Sequence, residues 1–444
     1  MNAIPSRLAG LLSLLLPTML VALGSTAAAA GEPSVIDLPT ALRLAGASNL
    51  DVEIAKEKVQ EARAVSESAR ARYLPTLTPS IGVRRHEGNI QAVNGPILDV
   101  DKQSLSAGLT LAVEIELGEV YYRDLAARQL ERSSEAALVS RQREITYQAA
   151  AAYFELSRAR AGVLATQETI RVARLHSEQI ATTVDLGLTF AGDAARARAA
   201  LSRAELQGVR VKAEQRIASA RLAEILRLDP LVELMPADVE LAPLAITPAE
   251  SEVGSLVARA LAQRSEVDEA AARLQAARVL RRGATVAPWV PTVSGQVQVG
   301  GLGGGPGGST LTRDFDAGTD YAVGVSWRVG SGGLFDRSRV RESDSRQRQG
   351  ELELEKVRDR IRREVVEQHA SLNALAQQLA FARSTLESAD QATKLSRQRR
   401  ETGVSAVFED LQAEDELARA RHDYLVTVAD YNLAQYALRY ATGD

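Results

Sequence analysis

Cysteine is absent from the 444 residues. That removes disulfide frameworks, thiolate metal sites, cysteine nucleophiles and lipidation on an N-terminal cysteine. Aromatic residues amount to 4%, so the core cannot be built on large rings. Ala, Leu, Arg, Glu and Gln dominate instead, a composition that favours long helices packed through small side chains. Histidine is scarce and scattered: His86, His176, His369 and His422 lack the spacing of metal ligands. Neither sign of charge prevails. The formal net charge is −4, and basic clusters such as RQRR (397–400) and RDRIRR (358–363) are interleaved with acids. This reads as a solvated helix face and not as a nucleic-acid footprint. No Ser-His-Asp set or paired-carboxylate motif stands out, so neither catalysis nor a cofactor is expected. Gly303, Gly305 and Gly308 form a G-x-G-x-x-G, but a nucleotide loop must open a helix and this run leads into loop and strand; the run 300–309 is expected as a flexible hairpin loop.

Long apolar runs are confined to the N-terminus. Arg7 precedes LAGLLSLLLPTMLVALG, and STAAAAGEP supplies small residues at a peptidase spacing, which predicts a secretory signal over 1–30 cut between Ala28 and Ala30. Beyond it nothing approaches about 18 consecutive apolar residues, so no helix is expected to span a membrane.

The remainder alternates two kinds of pattern. Helix is expected over about 39–73, ended at Leu74–Pro75 because proline disfavours helix in the residue before it. A proline-free helical pattern over 119–186 would be roughly 100 Å long. Glycines at 187–192 punctuate the chain, and a return helix is expected over 193–228. A proline-bearing connector over 231–251 follows, expected to be irregular. The plan then repeats, with a helix over 252–287, strands over 292–300 and 320–329, a long helix over 337–402 and a last helix over 406–440. Pro75 and Pro291 stand 216 residues apart, as do Gly187 and Gly403. Two independent landmarks with one period argue for an internal duplication. The expected units are thus 31–230, with a hairpin at about 74–117, and 252–444, with a hairpin at about 290–330.

The strand runs alternate strictly. Leu105, Ala107, Leu109, Leu111, Val113, Ile115 and Leu117 are separated by residues that include Ser106, Thr110, Glu114 and Glu116. Val293, Val297 and Val299 are separated by Thr292, Ser294, Gln296 and Gln298, and Tyr321, Val323, Val325, Trp327 and Val329 continue the theme. Period-two alternation places one face in an apolar medium and the other in a polar one. Runs of about 9–11 residues match a tilted strand crossing a bilayer, with the polar set lining a watery lumen. Four strands cannot close a barrel, which needs about eight, and lipid cannot satisfy an open edge, so the chain must associate with others. A helix-rich periplasmic scaffold or adaptor is the alternative reading, but it has little use for such apolar faces.

The whole mature chain resembles the TolC-like outer-membrane efflux proteins. The marks are PTALRLAGASNLDVEIAKEKVQEAR, the corners YLPTL and WVPTV, VGSGGLFDRSRV before the second long helix, and LGLTFAGDAARARA and TGVSAVFEDLQAEDELARARHDY at the helical turns. The resemblance implies a mainly α chain with membrane β-hairpins, three copies of which form a 12-stranded barrel continuing into a long periplasmic α-helical barrel. It implies an exit duct of a tripartite efflux or type I secretion system, set in outer-membrane lipid. A periplasmic adaptor would dock at the helical-tip turns Gly187, Gly192 and Gly403, with an inner-membrane pump of RND or ABC type behind it. In that family, carboxylates just past the second helical turn constrict the periplasmic entrance. Carried over, the first is Glu409; the second position holds Gln412, a departure from the two-acid pattern, with Asp410 adding an acid nearby. Asp193 is the counterpart of Glu409 one repeat earlier, with charges around Arg400 as expected cross-helix partners. An acid in a helix's first turn also complements the helix dipole, worth about 0.3–1 kcal/mol, which is the competing reading of both residues.

Overall fold

A computed structural model of the chain describes residues 34–187, 190–237, 241–246, 252–401 and 407–443; the expected signal segment and Gly403 lie outside them. In chain order the elements are β1 (Ser34–Ile36), α1 (Leu38–Ser48), α2 (Leu50–Ala71), β2 (Thr76–Gln91), β3 (Ile97–Glu116), α3 (Leu117–Asp185), α4 (Ala191–Leu226), β4 (Leu234–Pro236), α5 (Val253–Gln263), α6 (Ser265–Val286), β5 (Thr292–Pro306), β6 (Asp316–Ser326), α7 (Arg337–Glu401) and α8 (Val407–Thr442). The order helix, strand, strand, long helix, helix occurs twice. Starts of β2 and β5, ends of α3 and α7, and starts of α4 and α8 each fall 216 residues apart.

Both helices expected before the strand corners are broken, a correction to each. In the first, Asn49 interrupts the run: its Oδ1 accepts from Asp51 N at 2.9 Å and caps α2, while its Nδ2 donates to Ile225 O at 3.0 Å. In the second, Arg264 stands in extended backbone between α5 and α6. The broken pairs have equal lengths, 11 and 22 residues each.

Helix α3 contains 69 residues and α7 contains 65, about 100 Å each. Helix α3 packs along α2 and α6 near the sheet and along α4 and α8 beyond. Among the described residues, the two larger of four apolar clusters hold most of the core. One holds Ile145, Tyr153 and Leu156 of α3 against Val52, Leu222, Leu226 and Leu234. The other holds Leu256 and Leu274 against Ile361, Val365, Leu372 and Leu438. Each fully buried Leu or Ile contributes about 1.5–3 kcal/mol by leaving water. Alanines fill the remaining interhelical positions, letting the backbones approach closely.

The connector is more ordered than its prolines suggest. Strand β4 pairs in parallel with β1, Ser34 opposite Leu234, and Leu234 N donates to Ser219 Oγ at 2.7 Å. Farther on, the Asn432 amide accepts from Leu244 N at 2.7 Å and donates to Ala242 O at 2.9 Å. The described parts of this segment are therefore fastened to helices at Leu234 and at Ala242–Leu244.

Strands β2, β3, β5 and β6 form one antiparallel sheet in the order β2-β3-β5-β6. The glycine-rich run 300–309, expected as a loop, continues β5 as far as Pro306; only residues 307–315 turn. The cause is close approach. Gly300 lies opposite Gly108, and a Cβ on Gly300 would stand 2.6 Å from Ala107 O. Glycine here permits strand pairing where any side chain would part the backbones.

Candidate functional site

The register decides what the sheet can do. Leu77, Leu111, Val297 and Tyr321 lie in one cross-strand row, and Ile115, Val293 and Val325 in another. Much of their face is exposed, with Tyr321 at 80% and Val323 at 86%, and Ile115 and Val293 are half-buried. A contiguous apolar face of this extent marks contact with lipid or another protein. On the opposite face Thr110 pairs across to Gln298 and Gln298 to Asp320. Ala112 meets Gln296, Glu114 meets Ser294, Glu116 meets Thr292, and Ser106 lies opposite Leu302. The structure thus brings Ser106, Thr110, Thr292, Ser294, Gln296 and Gln298 onto one polar surface. The strands run 11 to 20 residues, enough to cross a bilayer at a tilt and, in β2, β3 and β5, to project beyond it.

All four strand ends that join helices lie at the same end of the sheet, where ion pairs bind the two repeats together. Glu119 of α3 accepts from Arg123 at 2.7 Å and from Arg339 of α7, and Glu116 pairs with Arg328 at 3.1 Å. Burial alone would push the Glu119 carboxyl up; the hydrogen bonds from Arg339 and Arg123 overcome this and hold it below its ordinary value. Asp124, also buried, bonds Arg128 at 2.5 Å and Arg70 at 3.3 Å, and the Arg128 contact keeps its carboxyl low.

At the far end of the helices α3 reverses into α4 through Gly187, whose φ of +72° is the left-handed conformation glycine adopts without strain. Gly192, expected in this turn, lies instead in the first turn of α4, beneath the Phe190 ring. Asp193 is in that same helical turn and pairs with Arg196 at 3.3 Å. It lines, with Gln412, a groove of ≈ 880 Å³ between α3, α4 and α8. Gln412 Nε2 donates to Glu416 at 3.2 Å. Glu409 is 54% exposed and faces Arg399 of α7 at 3.8 Å; the side chains of Asp410 and Arg400 lie outside the described residues. The structure therefore places Asp193 and Gln412 on one groove and couples Glu409 to the neighbouring long helix.

Sequence reasoning missed the charged knot at the second helix break. Arg264, 4% exposed, contacts Glu266, bonds Glu364 at 2.5 Å and lies 5.2 Å from the Tyr440 ring centre. Burial lowers the guanidinium pKa, but both carboxylates more than reverse this and leave it raised. Burial likewise raises Glu266, and the Arg264 hydrogen bond and charge bring it below its ordinary value. The available signal was Ser265-Glu-Val-Asp268, which reads as a helix start inside an apparently continuous helical run, although Arg264 and not Ser265 takes the cap position.

A sheet of bilayer height with one apolar and one polar face, carried on coiled coils about 100 Å long, is the subunit of a membrane channel with a helical extension. The chain belongs to the outer membrane efflux protein family, which it matches over residues 41–226 and 256–444, and is an outer-membrane duct of an efflux or secretion system, a conduit and not an enzyme. Solved structures share its fold. A membrane protein from Pseudomonas aeruginosa is 20% identical with a TM-score of 0.78, covering 91% of this chain and 93% of that one. The Campylobacter jejuni CmeC outer membrane channel is 17% identical with a TM-score of 0.78, covering 91% and 85%. The Neisseria gonorrhoeae MtrE outer membrane channel, in its open state, is 19% identical with a TM-score of 0.73, covering 91% and 88%. Among curated proteins no sequence matches.

Proposed function

We propose that three copies of the chain build a twelve-stranded barrel in the outer membrane, whose lumen continues through a periplasmic tunnel of helices. The observation that carries this is the pair of open edges on the sheet. Strands β2 and β6 each have a neighbour on one side only, and hydrocarbon cannot satisfy the free backbone groups. Joining β6 of one copy to β2 of the next satisfies both edges, and four strands alone fall short of the roughly eight needed for closure. The polar row from Ser106 and Thr110 to Thr292, Ser294, Gln296 and Gln298 then lines the lumen, while the apolar rows meet lipid.

In this reading the tips around Gly187, Gly192 and Gly403 receive a periplasmic adaptor, and an inner-membrane pump of RND or ABC type supplies the free energy. Around the axis the copies of Glu409, with Asp410 and Gln412 beside them and Asp193 behind, narrow the periplasmic mouth. Like charges repel there, and the Arg399 contact offsets part of that repulsion. Light scattering of the detergent-extracted protein should give the mass of three chains; a folded monomer would refute the architecture.

A further inference from the structure

Where the sheet meets the helices, the second repeat inserts a turn that the first lacks: β3 runs straight into α3, but ten residues separate β6 from α7. Phe335 in this turn has φ +66°, a left-handed backbone that an aromatic residue rarely adopts. The turn holds it there by many bonds. Leu334 N donates to Arg328 O at 2.9 Å, and Asp336 accepts from Gly332 N at 2.8 Å, Ser338 Oγ at 2.6 Å and Arg339 N at 3.0 Å. The Phe335 ring is consequently held out, 75% exposed, edge-on to Trp289 at 6.2 Å. Trp327, which ends the apolar rows of β6, donates its indole N–H to Trp289 O at 3.3 Å.

The Trp289 and Phe335 rings border a cavity of ≈ 560 Å³ lined also by Pro288, Leu334, Arg337 and Arg341, within the roughly 300–1,000 Å³ typical of small-ligand sites. Nearby arginines are committed, Arg328 to Glu116 and Arg339 to Glu119. Among the described residues Arg337 and Arg341, one helical turn apart, have no carboxylate partner. The only acid lining the cavity, Asp336, has its oxygens turned into the loop bonds just named. Two uncommitted guanidinium groups beside exposed indole and phenyl rings, at the end of a lipid-facing sheet, match one ligand chemistry: a phosphate with an acyl chain attached.

We propose that this cavity is a phospholipid site of the periplasmic leaflet, Arg337 and Arg341 holding the headgroup phosphate while Trp289 and Phe335 pack on the glycerol end of the chains. The site requires only that the sheet stand in a bilayer, and it is independent of the number of copies. The strained Phe335 serves to present its ring to lipid, and the continuous apolar rows lead the acyl chains away from it.

The test takes full-length protein extracted from membranes and measures retained phospholipid, as lipid phosphorus per chain and as added mass in native mass spectrometry during titration with phosphatidylglycerol. The Arg337→Gln/Arg341→Gln double variant should retain about tenfold less, the scale of losing one or two charged hydrogen bonds. Phe335→Gly, which relieves the backbone and removes the ring, should lower retention severalfold without lowering the melting temperature. Arg383→Gln, an exposed α7 arginine paired with Glu387, should change nothing. Equal retention by the wild type and the double variant would overturn the proposal. So would displacement of the lipid by millimolar inorganic phosphate, which makes free phosphate the ligand. Unchanged retention with a broken assembly would instead make the arginines a contact between copies.

Discussion

Replacing Arg264 by Met should loosen the chain at the α5–α6 break and nowhere else. The guanidinium is almost fully buried between Glu266 and Glu364. Its removal leaves two carboxylates sharing a partly dry site with only Arg360, 3.9 Å from Glu364, as counter-charge, a loss of about 3–5 kcal/mol for a broken buried pair. If local opening at this break limits amide exchange, protection across 253–275 should fall by about 10²–10⁴-fold. The α1–α2 break is a built-in control, because Asn49 holds it with an amide and no charge; its exchange should not move. Adding Glu266→Gln and Glu364→Gln to the Arg264→Met variant removes the stranded charges and should recover most of the loss. The pH response has a definite sign. Glu266 is held below its ordinary value, so its contribution is fully present above about 4.3 and disappears as pH falls through the depressed folded value. Arg264 is raised, so its contribution persists at every pH below its ordinary range and alkali in the usual range leaves it intact. Acid should therefore open the second break before the first. A change of less than about threefold in exchange, or an equal change at both breaks, would refute the assignment of the stabilisation to this triad.

Three further outcomes are expected. Glu409→Gln should lower cation selectivity and weaken block by multivalent cations in planar bilayers, whereas Asp193→Asn should mainly raise conductance; unchanged selectivity in the first would return Glu409 to a helix-dipole role. Gly300→Val drives a side chain into the Ala107 carbonyl and should cost about 1–3 kcal/mol or more, seen as a loss of heat-resistant oligomer on gels. An epitope inserted within residues 308–314 should be reachable from outside intact cells while transport persists, whereas insertion within 300–306 should disrupt strand pairing and abolish assembly; labelling only after permeabilisation would reverse the sheet's orientation.

Features set by local pattern were readable before any coordinates. The 216-residue offset, the proline corners and the two-faced strands depend on residues close in sequence, and the polar row of β3 and β5 follows from a period of two alone. Features set by distant partners were hidden. The break at Asn49 is completed by Ile225 O, 176 residues away, and the break at Arg264 by Glu364, 100 residues away, so an Ala-rich run looked continuous at both. The strand character of 300–306 was masked because the same glycines that signal a loop also permit the close pairing opposite Gly108. At the helical tips Asp193 was located by the offset of the repeats, and its Arg196 partner stands at a spacing that any helix through 193–196 provides; the start of that helix at Ala191, two residues earlier than expected, was not readable.

The return helices α4 and α8 have the same length, 36 residues each, although the hairpins and the long helices α3 and α7 of the two repeats differ. A deletion of one residue from only one of them would lower that tip by about 1.5 Å and swing its side chains by roughly 100°. Repeated around a ring, such an offset turns a level flange into a scalloped one. Two flat flanges can seal face to face against leakage of a small solute; a flat and a scalloped one leave gaps at every repeat. In the proposed ring of copies docked on an adaptor, the matched lengths act as a machining tolerance on the joint, and they disfavour insertions in α4 or α8.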